Sequence, residues 1–150
     1  MMIRAARPED AMAACVTMRR SITELCTADH GGDPAVLERW LANKTPASFL
    51  AWLARADNTV LVAVAEDAIL AVGAVTDAGE INLNYVSPAA RFRGVSRAML
   101  AALEARAAER GSRRCILTST ATARRLYETA GYTANGPPEK KFGVPGYPMV

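Results

Sequence analysis

The sequence predicts a mixed α/β (α+β) fold: a mixed, mostly antiparallel β-sheet with helices on both faces. Three observations carry this. Apolar residues recur at helical spacing before residue 57, and two adjoining apolar runs of strand length follow at 59–65 and 68–76. A strand, a helix and another strand then succeed one another between residues 81 and 118, which is the pattern of a parallel crossover. An antiparallel meander feeding a β-α-β unit gives a sheet of mixed direction.

Taken in order, residues 2–7 read as a short opening strand, and Pro8-Glu9-Asp10 as a helix start, because proline is tolerated in a first turn. The helix is predicted to run to about Ser21 and to carry Met12, Val16 and Met18. Residues 22–25 either extend it or begin a second piece. Asp29-His30-Gly31-Gly32-Asp33-Pro34 breaks the chain. Leu37, Trp40 and Leu41 then fall at i, i+3, i+4, and Phe49, Leu50, Trp52 and Leu53 do much the same after Thr45-Pro46. Beyond Asn58 the period changes. The runs at 59–65 and 68–76 read as a hairpin turning at Glu66-Asp67, and 81–86 as a third strand that Pro88 ends. Residues 91–94 are a loop. The helix from Val95 to about Arg110 is alanine-rich, with Met99, Leu100 and Leu103 inward, and Gly111 caps it. Residues 115–118 read as a strand, and 121–130 as a helix capped by Ser119 or Thr120 and closed by Gly131. Residues 132–134 begin a strand, 135–138 form a loop, and 146–150 are a terminal strand.

The length of 150 residues favours one domain spanning 1–150, since single cores divide only beyond ~250 residues. With 51% apolar and 22% charged residues, the composition excludes disordered and low-complexity classes. The longest uncharged apolar stretches are interrupted at Glu66-Asp67, far short of the ~20 residues that cross a bilayer. The first ten residues lack the apolar centre of a signal peptide, so a cytoplasmic location is expected. Cys15, Cys26 and Cys115 form no C-x-x-C pair and have one histidine, His30, for company, a poor zinc set; all three are expected to be small buried hydrophobes. No metal is expected.

Charge is unevenly placed. Residues 91–114 carry seven arginines against Glu104 and Glu109, a local +5, whereas the remainder of the chain sums to −2. One basic segment on a mildly acidic body suits a small polyanion such as a nucleotide better than a nucleic-acid track. Within it, Arg91-Phe92-Arg93-Gly94-Val95-Ser96-Arg97 joins a strand to a helix. A glycine at a helix mouth lets backbone N–H groups approach an anion, and the helix start contributes about +0.5 of a charge. Arg91, Arg93 and Arg97 add side-chain donors. This is a pyrophosphate cradle in mechanical terms, though an ordinary helix start after a glycine turn looks the same.

Arg91-x-x-Gly94-x-Ser96 resembles the (Gln/Arg)-x-x-Gly-x-(Gly/Ala) motif of the GNAT superfamily of N-acetyltransferases. Thr120-Ala121-Thr122-Ala123-Arg124-Arg125-Leu126-Tyr127-Glu128-Thr129-Ala130-Gly131-Tyr132 resembles that family's second signature, a helix ending in Tyr-Glu-x-x-Gly-(Phe/Tyr). The two motifs stand in the family's order and cover most of the chain with the elements around them. Ser96 departs from the usual Gly or Ala, and Thr120 from a frequent Asn that contacts the cofactor arm.

The resemblance implies transfer of an acetyl group from acetyl-CoA to a primary amine of a small molecule or peptide by direct attack, with no covalent enzyme intermediate. It implies that the strand end at Tyr85-Val86 diverges from its neighbour, pairs with the pantetheine amides and offers a backbone amide to the thioester carbonyl. The cofactor-binding set is then Tyr85, Val86, Arg91, Phe92, Arg93, Gly94, Val95, Ser96, Arg97 and Thr120. Tyr127 is the expected catalytic residue, a general acid for the departing thiolate, since a phenol with a pKa of ~10 stays protonated at neutral pH. The base stays open among His30, Glu80 and ordered water, with Asn84 also bordering the reactive strand. Acceptor specificity is expected from residues 26–33, the helices bearing Trp40 and Trp52, and the tail 142–149, where 143–147 reads as a loop over the acceptor. The expected partners are acetyl-CoA and an amine, with no nucleic acid and no membrane; a homodimer stays open. The competing reading is a non-catalytic acyl-CoA or nucleotide-binding module on the same fold.

Overall fold

In the computed structural model, which describes residues 1–150, seven strands share one sheet: β1 (Met2–Ala5), β2 (Asn58–Ala65), β3 (Ala68–Thr76), β4 (Glu80–Val86), β5 (Ile116–Ser119), β6 (Glu139–Lys141) and β7 (Val144–Met149). Their spatial order is β1-β2-β3-β4-β5-β7-β6, and only β4 and β5 run parallel. The β2–β3 hairpin turns where the sequence predicts. Glu66 and Asp67 both take positive φ (50° and 65°), whose twist matches the strands they join.

Six helices flank the sheet: α1 (Ala11–Leu25), α2 (Thr27–His30), α3 (Pro34–Leu41), α4 (Pro46–Ala54), α5 (Val95–Glu109) and α6 (Arg124–Thr129). On one face, Ala14, Cys15 and Met18 of α1 and Phe49 of α4 pack on Val60, Val62, Val72 and Ala74. On the other, Met99, Leu100 and Leu103 of α5 pack on Ala63, Ala71 and Val75. At Gly73 the side chains of α5 press on the sheet: a Cβ there would lie 2.7 Å from Met99 Sδ, so any larger residue makes the Met99 side chain shift. All three cysteines are free and buried. No helix is long and apolar enough to cross a membrane.

β4 carries a bulge that matters for the site. Ala74 pairs with Leu83 and Val75 with Ile81, so Asn82 is an extra residue. The slip turns the strand over: Ile81 packs in the α5 core and Leu83 in the α1 core, although residues two apart ordinarily share a face.

One open expectation is decided and three are corrected. Residues 22–25 extend the first helix, which begins as a 3-10 turn (Pro8–Asp10) and continues as α1 to Leu25; Met12 and Val16 are exposed, because the buried stripe is Ala11, Ala14, Cys15, Met18 and Ile22. The helix expected over 121–130 is α6 alone, because residues 121–123 form a turn held from outside. Residues 132–134 make a single bridge, Ala134 to Met149, in place of a strand. Residues 143–147 belong mostly to β7, which forms a hairpin with β6 across Phe142-Gly143 (φ 55° and 85°).

Candidate active site

The parallel pairing of β4 with β5 covers only Glu80–Ile116 and Ile81–Leu117. β5 then pairs with β7 on its far side, so no β5 residue pairs with 82–86. The two strands splay, and a cavity of about 620 Å³ opens between them, from the mouth of α5 to Tyr127. Tyr127 and every predicted cofactor-binding residue line it except Arg93, which is exposed on the loop beside it.

Gly94 precedes α5 with φ 75° and ψ 11°, a left-handed conformation that L side chains disfavour, and no side chain caps the helix. The first-turn N–H groups are thus left for an external acceptor. A Cβ on Gly94 would meet nothing within 4 Å, so the space over the loop is open. Beside it, the Arg91 guanidinium lies 4.4 Å from the centre of the exposed Phe92 ring.

At the inner end, Tyr127 is buried, and its hydroxyl accepts a hydrogen bond from Asn84 Nδ2 at 3.3 Å. Burial pushes the phenol's pKa up, and the Asn84 bond offsets this in part. The phenol is therefore a protonated donor across the neutral range. Asn84 lines the cavity, and its Oδ1 is buried with no donor. These features fit a pyrophosphate at the α5 mouth and an amide-bearing arm along β4.

The turn before α6 owes its shape to a residue the sequence does not single out. Asp29 of α2 accepts from the Ala121 and Thr122 amides (2.6 and 3.2 Å) and from the Thr122 hydroxyl (2.5 Å). Thr120 Oγ1 accepts from the Ala123 amide at 3.0 Å, so it caps a turn and also lines the cavity. Asp29→Ala is expected to cost about 1–2 kcal/mol, the worth of a charge-assisted contact at a partly exposed site, and to lower Tm by about 3–6 °C. Thermal unfolding beside Asp29→Asn checks this; an unchanged Tm in the alanine variant contradicts it.

His30 is a correction to the candidates for the base. It is buried outside the cavity, with Nε2–H donating to Ile22 O (2.9 Å) and Nδ1 accepting from Gly32 N–H (2.9 Å). Both nitrogens serve the α1–α2 corner. Trp40 is buried, donates to the Tyr85 hydroxyl at 3.1 Å and stacks on Phe142. Burial raises the Tyr85 pKa as well.

A second, more polar cavity of about 330 Å³ adjoins the first, sharing Asn82, Leu83, Tyr85, Lys141 and Phe142 as walls. Glu80, Trp52, Asn58 and Lys44 complete much of it. Burial and the neighbouring Lys141 charge lower the Lys44 pKa from 10.5 to about 8. Below pH 8 the folded protein carries a costly buried ammonium. Because the unfolded chain then holds the proton more tightly, stability from this group rises between pH 8 and 10.5. Relative to Lys44→Met, the wild type is expected to gain roughly 2 kcal/mol between pH 7 and 9.5 by denaturant unfolding. A constant difference contradicts the shift.

Comparison with protein families matches residues 26–150 to an acetyltransferase (GNAT) domain. No curated protein sequence matches. Among solved structures, a GCN5-related N-acetyltransferase from Rhodopseudomonas palustris superposes with a TM-score of 0.87 at 24% identity, covering 99% of this chain and 92% of that one. The PaiA N-acetyltransferase from Thermoplasma acidophilum, solved with coenzyme A, superposes at 0.80 with 17% identity (99% and 96%). A ribosomal-protein-alanine N-acetyltransferase from Brucella melitensis gives 0.72 at 23% identity (99% and 98%). At these identities the likenesses establish a shared fold.

Proposed function

The chain belongs to the GNAT family of acetyltransferases, and on that premise we propose that the splayed cavity binds acetyl-CoA and passes its acetyl group to a primary amine entering from the second cavity. The observation that carries this is the continuity of one cleft from the uncapped, left-handed mouth of α5 to the Tyr127 hydroxyl. The Thermoplasma relative solved with coenzyme A supports it.

In this reading the amides of Val95, Ser96 and Arg97 hold the pyrophosphate, with Arg91 and Arg97 adding charge at the rim. Backbone groups at Tyr85-Val86, which lack a β5 partner, hold the pantetheine amides. Bound acetyl-CoA supplies an activated thioester carbon. As the amine nitrogen bonds to that carbon and the C–S bond breaks, Tyr127 gives its proton to the departing sulfur. The amine's own proton passes to Glu80, directly or through water, since Glu80 is the carboxylate lining the acceptor-side cavity. Tyr127 then recovers a proton from solvent as the thiol leaves.

The test is thiol release from acetyl-CoA in the presence of amines, amino acids, polyamines and peptide N-termini, with each acetylated product identified by mass. Amine-dependent release is the expected result. Tight acetyl-CoA binding with no acetylated product from any class points to the non-catalytic binding module instead.

A further inference from the structure

Lys44 stands apart from every other cation of the chain. It is 2% exposed, yet it lines the second cavity and makes no ion pair. Its ammonium reaches only neutral acceptors, Asn43 Oδ1 at 2.6 Å and Trp40 O at 3.4 Å, the latter a helix C-terminal carbonyl. It lies 5.0 Å from the centre of the Phe142 ring and 5.8 Å from that of Tyr85, the two aromatics that wall both cavities. Lys141, a second ammonium, sits 5.8 Å from Phe142 and shares both walls. Two like charges thus line the second cavity beside the aromatic walls it shares with the first.

The position is held rather than incidental. Arg19 of α1 donates to Leu41 O and Lys44 O (3.0 and 3.2 Å), fixing the loop that carries Lys44. The cavity has a second unmet polar group of opposite kind: Asn58 Oδ1 is buried without a donor, while its Nδ2 is bound to Trp52 O. The other charges lining it are Glu80 and Arg55, and Arg55 pairs with Asp57. A buried cation with no counter-ion, beside a second cation and an orphan acceptor, is costly unless a ligand completes it.

We propose that the acceptor is an amino carboxylate, its carboxylate held by Lys44 and Lys141 at the junction of the two cavities within a few bonds of the amine that is acetylated. The inference rests on the acetyl-transfer reading above. Closeness of amine and carboxylate follows from geometry, because the ammonium of Lys44 lies in the second cavity against Tyr85 and Phe142, the aromatics that this cavity shares with the acetyl-binding cleft. One buried and one exposed ammonium in a small cavity match a singly charged group. Polyamines, which bring only positive charge, meet repulsion at the same point.

The experiment compares matched acceptors on the full chain with acetyl-CoA at pH 7: leucine, leucinamide and 3-methylbutylamine; phenylalanine, phenylalaninamide and phenethylamine; and 6-aminohexanoate, whose carboxylate is remote. The α-amino acids are expected to exceed their amides and amines in kcat/KM by about 10- to 100-fold, the range of a charge-assisted hydrogen bond. The 6-aminohexanoate is expected to behave as an amine. Lys44→Met is expected to reduce the acid-to-amide ratio to near one, and Lys44→Arg to retain much of it. Calorimetry with acetyl-CoA identifies a folded variant; if Lys44→Met does not fold, the wild-type ratio and Lys141→Met decide.

A wild type that prefers amides or amines overturns the proposal, as does a ratio that survives in folded Lys44→Met, or an acetyl group found on Lys44 itself by mass spectrometry. Acetylation of amides and amines alone sinks this proposal and leaves acetyl transfer standing. Absence of acetyl-CoA binding sinks both.

Discussion

Tyr127→Phe is expected to slow acetyl transfer by ~10²–10⁴-fold, the range of a positioned general acid, with the lower end favoured because a thiolate leaves fairly well unaided. The substitution keeps the ring that packs edge-on against Tyr132 at 5.8 Å, so the core is preserved. What it removes is one hydroxyl and the acceptor of Asn84 Nδ2, a cost of about 1 kcal/mol to stability. Acetyl-CoA affinity is expected to hold, while kcat and kcat/KM fall together, as they do when an interaction is made only in the transition state. Because burial raises this phenol above its ordinary value, the wild-type rate is expected to show no loss from its ionisation below pH 10. Wild-type turnover in Tyr127→Phe, with chemistry rate-limiting, returns Tyr127 to the role of a core aromatic.

Gly94→Glu is expected to abolish measurable acetyl-CoA binding, a loss of more than ~10²-fold. Two effects act in the same direction. A side chain at φ 75° strains the loop by ~1–2 kcal/mol, and a carboxylate enters the open space where the pyrophosphate is placed. Gly94→Asn separates them, since asparagine tolerates the left-handed conformation and adds no charge. It is expected to weaken binding far less. Calorimetry showing unchanged affinity in folded Gly94→Glu removes the cradle from the account.

Much of this fold was legible because its patterns are local. The hairpin at Glu66-Asp67, the stops at Pro88 and Gly111, and the stripe in α5 each need only neighbours in sequence. The cleft-lining residues were legible through two short motifs, and the divergence of β4 from β5 through the family they resemble. What was hidden depends on distant partners. Asp29 governs the turn at Ala121–Thr122 from some ninety residues away, and nothing around it announces that. Lys44 reads as a surface charge until Trp40, Tyr85 and Phe142 close over it. Pro145 between Gly143 and Gly146 argues for a loop before the terminal strand, yet pairing with Lys140 makes it part of that strand. Which face of α1 is buried was hidden because alanines and a cysteine, weak hydrophobic signals, make up much of a stripe that Met18 and Ile22 complete, leaving Met12 and Val16 exposed. His30 sat in the right loop, and only its two hydrogen bonds exclude it as a base.

The central claim is that one cleft holds the cofactor from the α5 mouth to Tyr127, and a crystal structure of the protein with coenzyme A tests it most directly. The account predicts the pyrophosphate on the amides of residues 95–97 over Gly94, the pantetheine arm along Tyr85-Val86 between β4 and β5, and the thiol within hydrogen-bonding reach of the Tyr127 hydroxyl. Coenzyme A bound with its pyrophosphate away from Gly94, or its thiol remote from Tyr127, contradicts it.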